Sequence, residues 1–435
     1  MLKRVRIQGY KSLHDVDVRL EPLSVFLGPN AAGKSNFLDA LQLLSRIVDS
    51  RTMKEAFHPP YRGKPLETFT VGAGGLNALM QKPSASLSIE ADIELSPTVV
   101  ETVNRQIAEM RQGKAGSPDE PATSNGKHSA YVREKLLRYK ITIEILPKSG
   151  ILRVVDEYLA ALNAEGQPTG ARRPFLELMK NRLHLRMEGQ AHPTYYERYL
   201  DHSVLSLPLY PPHYPHLVAV RQELSRFFFF YFEPRERMRV PNPVKEVRHI
   251  GMMGEDLAAF LNTLKALSPR QFQAVEKALH QIIPSITGIE VEVSSIGEVE
   301  LWLKEGDVRT SARVVSEGTL RVLGLLALTG AKDPPALIGF EEPENGIHPR
   351  RIRLVAELLK TRAAAGNSQL LVTTHSPILL DLLPSRSLFV CAKQDGSTTI
   401  VPYGDWALPG RSEDLDKALD EPAPSERVMR GDFDA

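Results

Sequence analysis

Gly28-Pro29-Asn30-Ala31-Ala32-Gly33-Lys34-Ser35 fits G-x-x-x-x-G-K-S, the glycine loop that wraps the phosphates of a nucleotide. Its glycines let the backbone turn tightly enough for successive N–H groups to converge on an anion. In this pattern Lys34 reaches the β- and γ-phosphates and the Ser35 hydroxyl binds Mg²⁺. The flanks support it. Leu23-Ser24-Val25-Phe26-Leu27 reads as a short buried strand, and Phe37, Leu41, Leu44 and Val48 fall at helical spacing after the loop. Strand, glycine loop and helix start make an anion site, because the helix dipole and its free N–H groups face the phosphates.

Bulk properties narrow the class. A chain of 435 residues exceeds one simple core and suits one large domain with an insertion or subdomain. Hydrophobic residues at 42% and charged residues at 25% indicate a soluble globular chain. A net charge of +1 supplies no overall field toward DNA or an anionic membrane, so nucleic-acid contact would need a local patch. The one cysteine, Cys391, lies in an apolar strand pattern where a thiol acts as a small apolar group, and a reducing cytoplasm is expected. The N-terminus alternates charge with apolar residues and lacks the apolar run of a signal peptide. Residues 217–232, with Phe227-Phe228-Phe229-Phe230, are interrupted by Arg221, Glu223 and Arg226 and are too short to span a membrane. The spacing predicts a buried core helix there.

Residues 2–8 and 16–20 read as paired strands around a turn at 9–12, and 86–95 as a half-exposed strand. Residues 51–82 read as Gly- and Pro-rich loop, 98–111 as a helix, and 112–128 as a mobile surface loop. A hairpin is expected at 139–146 and 151–159, a strand at 183–187, and irregular chain at 208–215. Helices are expected at 217–230, 255–267 and 269–283, then a strand pair at 289–293 and 299–304. The last third alternates: helix 317–328, strand 336–340, helix 350–364, strand 369–373, which argues for a parallel sheet covered by helices. The tail from 409 reads as frayed, and Arg430-Gly431-Asp432 within it as a chance tripeptide.

Ala336-Leu337-Ile338-Gly339-Phe340-Glu341-Glu342 is an apolar strand ending in two acids. Alternate side chains point to opposite faces, so one acid can hold the Mg²⁺ shell while the other orients and deprotonates water. Leu370-Leu371-Val372-Thr373-Thr374-His375-Ser376-Pro377 repeats the design of buried strand and polar tip, and His375 is placed to sense the γ-phosphate. Ser316-Glu317-Gly318-Thr319 opens a helix with a capping hydroxyl, a second end able to bind phosphate.

In this order the motifs resemble the ABC-type ATPases of the SMC and RecF class. Ser-x-Gly-Thr and Glu-Glu-Pro-Glu-Asn-Gly-Ile-His-Pro are most similar to the AAA-family predicted ATPases allied to the OLD family. The likeness covers about residues 2–44 and 314–390. It implies an α/β fold, a P-loop NTPase with an ABC-type ATPase head: a mixed or parallel sheet flanked by helices, an antiparallel β subdomain and a helical or irregular middle insertion. The implied division is 1–160 and 286–408 for the two halves of the head, 161–285 for the insertion and 409–435 for the tail. By resemblance, Lys11 and Ser12 lie near the nucleotide, and Asn30, Ala31, Ala32, Gly33, Lys34 and Ser35 of the Walker A loop, with Asn36, bind ATP. Glu341 is the Walker B acid of the Mg²⁺ shell, with Ser35. Glu342 is the catalytic base, Asn345 to His348 the D-loop and His375 the switch histidine. Ser316, Gly318 and Thr319 form the signature motif, which acts on the ATP of a second copy.

Some positions depart from the pattern. Glu317 stands where the longer signature has glycine, and Glu341 where aspartate is commoner. Gln81 is the candidate for a glutamine loop, and no acidic constellation of a Toprim nuclease is visible. The resemblance implies an ATPase that dimerises head to tail or forms a higher oligomer, acting as a switch in bacterial anti-phage defence with a separately encoded nuclease or other effector. The alternatives are a slow nucleotide-gated scaffold and a DNA-repair clamp using Arg235, Arg237, Arg239, Lys245 and Arg248 on phosphates. Kinases and small GTPases are disfavoured, since no N-K-x-D motif occurs. No membrane partner is expected.

Overall fold

The computed structural model describes residues 1–58, 64–72, 74–112, 131–170, 172–188, 192–329, 334–406 and 423–429. The loop expected at 112–128, beyond Gln112, and the tail from 409, apart from 423–429, lie outside the described residues, as does Arg430-Gly431-Asp432. Compactness divides the chain into two units. The first comprises Met1–Leu20, Asn36–Phe227 and Lys393–Ile400, and the second Glu21–Ser35, Phe228–Ala392 and Val401–Ala435. This differs from the linear division expected at 160, 285 and 408. Strand pairing draws the phosphate loop, an N-terminal segment, into one unit with the C-terminal third.

The first unit carries an eight-stranded antiparallel sheet. Its order is Leu13–Arg19, Leu2–Tyr10, Ala85–Glu94, Leu136–Leu146, Ile151–Ala161, Leu176–Met179, Arg182–Leu185 and Thr194–Glu197. In Leu136–Leu146 the buried residues are Leu137, Tyr139, Ile141, Ile143 and Ile145, the period of two that one covered face demands. Glu157 is fully buried in this unit. Its carboxylate accepts from Tyr139 Oη at 2.8 Å, Ser203 Oγ at 2.6 Å and the Val204 N–H at 2.8 Å, which satisfies it locally. Residues expected to be loop at 51–82 include helices Met53–Ala56 and Gly75–Gln81 and the 3₁₀ turn Pro65–Thr68. The Thr52 hydroxyl starts the first of these by accepting the Glu55 N–H at 3.2 Å.

The second unit is built on parallel strands. Leu337–Glu341, Gln369–Thr374, Leu23–Leu27 and the strand from Leu388 run side by side, with Phe227–Phe230 at one edge of the sheet. Register sets the strand tips level. Glu341 stands opposite Thr373, and Thr374 opposite Leu27. Three strand tips therefore emerge at one edge of the sheet, the carboxyl ends where open α/β sheets bind ligands. Helices Pro269–Ile282, Pro349–Ala364 and Pro377–Asp381 of this unit each open on proline, whose fixed φ and missing N–H suit a first turn. A smaller antiparallel sheet joins Asn242–Pro243, Glu298–Glu305, Gly288–Val293 and Val308–Ser311.

The phenylalanine run corrects a sequence expectation. The helix predicted over 217–230 is Pro215–Leu224 only, and Phe227–Phe230 is a strand. Phe229 lies against Gly339, where a side-chain carbon would sit 2.2 Å from its ring. Phe230 and Phe232 pack on Phe340 with centroids 6.4 and 5.0 Å away. A continuous apolar run reads equally as buried helix or as a strand covered on both faces, and packing decided for the strand. Among the described residues no helix is long and apolar enough to cross a membrane.

Candidate nucleotide site

The loop grows from Leu23–Leu27, buried along its whole length. Gly28 has φ 148°, and a side-chain carbon there would lie 2.1 Å from the Cys391 carbonyl oxygen, so only glycine fits. Burial pushes the Cys391 thiol up to about 12, against the opposing charge of Lys34, and the residue packs as a neutral wall. Ala31 at φ 65° and Gly33 at φ 100° place left-handed residues within the loop, the alternation that gathers N–H groups into an anion nest.

Lys34 begins the helix Lys34–Asp49 and is 6% exposed. Its ammonium donates to the carbonyls of Gly28 at 2.5 Å and Pro29 at 2.9 Å. Burial lowers its pKa, while Cys391, Glu342, Glu341 and Glu344 pull the other way. A cavity of about 230 Å³ adjoins the loop, lined by Gly28, Pro29, Asn30, His375, Leu380 and Val428 among others.

Beside the loop, Glu341 ends its strand and Glu342 enters the left-handed region at φ 48°, a costly conformation for a residue with a side chain. The Glu342 N–H donates to the Thr373 carbonyl at 2.9 Å. Its carboxylate meets His375 Nε2 at 2.5 Å and accepts from the Asn345 side-chain amide. The turn beyond closes through Asn345 N–H to Glu342 O at 3.1 Å and Ile347 N–H to Glu344 O at 3.0 Å, with Gly346 at φ 74°.

The signature element opens the helix Glu317–Thr329. Ser316 Oγ accepts the Thr319 N–H at 3.2 Å and lies 2.8 Å from Thr319 Oγ1. Gly318 faces the D-loop, where an added side-chain carbon would come 2.1 Å from the Gly346 carbonyl oxygen. Glu317, the departure from glycine, pairs with Arg235 at 2.5 Å, and that guanidinium holds its carboxyl below the usual range. Arg239 donates to Val315 O, Lys245 pairs with Asp256 and Arg248 with Glu246. Most of the basic run thus meets partners within the chain.

Gly28 to Ser35, Glu341, Glu342, His375 and the signature residues all belong to the second unit. Lys11, Ser12 and Asn36 belong to the first. There Lys11 Nζ pairs with Asp39 at 2.7 Å, and Ser12 Oγ accepts from Asn36 at 2.8 Å and lies 2.7 Å from Thr398 Oγ1. Gln81 ends its helix exposed. Glu344, which is buried and bonded by the Thr374 hydroxyl, has no role in the sequence reading, and Arg235, expected there only as part of a basic patch, pairs with Glu317. Glu344 carries no signal of burial, since it sits among acids in a polar turn.

Residues 203–381 match an AAA domain described as putative AbiEii toxin, type IV TA system, and residues 1–94 match an AAA ATPase domain. Over 44 residues the chain is 43% identical to an OLD nuclease of Thermus scotoductus, a stretch that is 10% of this chain and 8% of that protein. An SMC head bound to the C-winged helix domain of ScpA superposes with TM-score 0.53 at 13% identity, over 92% of this chain and 97% of that one. An SMC head from Pyrococcus furiosus, bound to the C-terminal domain of ScpA, gives TM-score 0.49 at 12% identity, over 96% and 98%. The fold is that of a P-loop ATPase head of the ABC type, as in SMC proteins. AAA-type ATPase sequence thus covers residues 1–94 and 203–381, which supports ATPase activity.

Proposed function

We propose that the chain is an ATP-hydrolysing switch in which two copies enclose ATP head to tail and separate on hydrolysis. The observation that carries this is the 2.5 Å contact between Glu342 and His375, held at the strand tips level with the phosphate loop. Glu342 is the base that takes a proton from water, its other oxygen steadied by Asn345. His375 faces the cavity beside Asn30 and would report on the γ-phosphate. Phosphate oxygens would replace the two carbonyls that Lys34 now bonds, restoring favourable charge to a lysine whose ammonium burial disfavours. Bound Mg²⁺ would neutralise charge on the phosphates. Ser35 and Glu341 would hold it, a fit for an ion that keeps several waters and takes few protein oxygens. The signature residues rest on the D-loop turn rather than among the cavity-lining residues, which favours their use on a second copy's nucleotide. A separately encoded effector, such as a nuclease, and a role in cytoplasmic defence against phage belong to the same proposal. The match to a putative AbiEii toxin domain and the short OLD nuclease match support it. The internally paired arginines lend nothing to a DNA clamp.

Lys34→Ala should abolish binding of a fluorescent ATP analogue. Glu342→Gln should bind ATP and accumulate as an oligomer in light scattering, since the base is lost while the phosphate contacts stay. Phosphate release by Glu342→Gln at the wild-type rate would reject the assignment.

A further inference from the structure

Glu344 has no part in the account above, yet it is 6% exposed and stands two residues beyond the base. Its Oε1 accepts from the Thr374 hydroxyl, and its Oε2 has no hydrogen-bond partner among the described residues. Thr374 Oγ1 in turn accepts the Ser376 N–H at 2.9 Å. Thr374 and Ser376 are the immediate neighbours of His375. One carboxylate oxygen and one hydroxyl therefore grip both sides of the histidine. The two tips are joined at three points: Glu342 N–H to Thr373 O, Glu344 to Thr374, and Glu342 to His375. An acid with an orphaned, buried oxygen is a poor choice for packing alone. Burial pushes its pKa up, the Thr374 bond and the His375 charge opposing this and the Glu342 charge adding to it.

We propose that Glu344 is a positioning residue which, through Thr374, fixes His375 against Glu342 and keeps the switch histidine and the base in one arrangement. This rests on reading Glu342 and His375 as the hydrolytic pair. Its logic is mechanical. The Walker B turn and the switch strand are separate segments, and the side-chain contact between them is short only while both tips hold still. A misplacement of about 1 Å at such a pair can cost about 100-fold in rate.

The test uses the full chain. Glu344→Ala and Thr374→Val should each lower kcat by about 10-fold or more, with affinity for a fluorescent ATP analogue held within about 3-fold. The double variant should be no worse than either single one, because both cut the same link. Glu344→Gln keeps an acceptor oxygen and should stay within about 3-fold of wild type. Ring NMR signals of nucleotide-free protein, assigned with His375→Gln, give a readout that needs no turnover. The His375 signal should move in Glu344→Ala and Thr374→Val and stay in Glu344→Gln. Thr374→Val, close to isosteric, carries the test if Glu344→Ala does not fold. An unmoved His375 signal, or additive losses in the double variant, would overturn the proposal. A wild type that binds ATP without hydrolysing it, but whose histidine responds as described, would overturn the functional reading and leave the clamp standing.

Discussion

Gly28 and Gly318 are both glycine because another segment's carbonyl occupies the space a side chain would need, at Cys391 and Gly346 respectively. The two cases differ in backbone. Gly28 also has a φ only glycine tolerates, while Gly318 lies in the first turn of a helix. Its requirement is therefore purely steric. Gly318→Ala should destabilise by about 1–3 kcal/mol in urea unfolding, with the D-loop forced to move. Gly72→Ala, at a position with open space around it, should stay within about 0.5 kcal/mol. The glycines of both motifs are readable in the sequence. Their partners are not, since Cys391 follows Gly28 by hundreds of positions and only strand pairing sets it there. Glu317 shows a further limit at this scale. Its negative charge looks hostile to a phosphate until Arg235, remote in sequence, is seen beside it.

Between residue and domain, helix starts are the most legible features, because proline and serine signals act within one turn. Ser316 capping Thr319 and Pro349 opening its helix needed no distant partner. The phenylalanine run shows the opposite. Its periodicity is flat, so local preference does not choose, and the choice falls to Gly339, whose missing side chain lets Phe229 approach. Phe229→Ala should cost about 3–5 kcal/mol by the cavity it leaves, read as a lower urea midpoint at unchanged slope. Gly339→Val should be comparably harmful from the other side, by overfilling the same space.

At the scale of the whole molecule, stability should carry a pH signature from Glu157. Burial raises its pKa above the ordinary 4.5. A raised folded value means its contribution is complete below the ordinary value and is lost as pH rises through the folded one. The melting temperature of wild type minus that of Glu157→Gln should therefore shrink between about pH 4 and pH 8. A difference that grew would contradict the raised value. The glycine loop, the acids after an apolar strand, the histidine after another and the strand–helix alternation were all determined by sequence, because each is a pattern within a few residues or a spacing along one segment. They sufficed to place the chain among P-loop heads. Tertiary structure alone decided that Glu342 and His375 touch, that Glu344 is buried under Thr374, and that the glycine loop and most of the last third of the chain share one unit. The physical reason is register: parallel strands from remote segments align their tips to within a residue through backbone hydrogen bonds, and no local preference encodes which tips will meet.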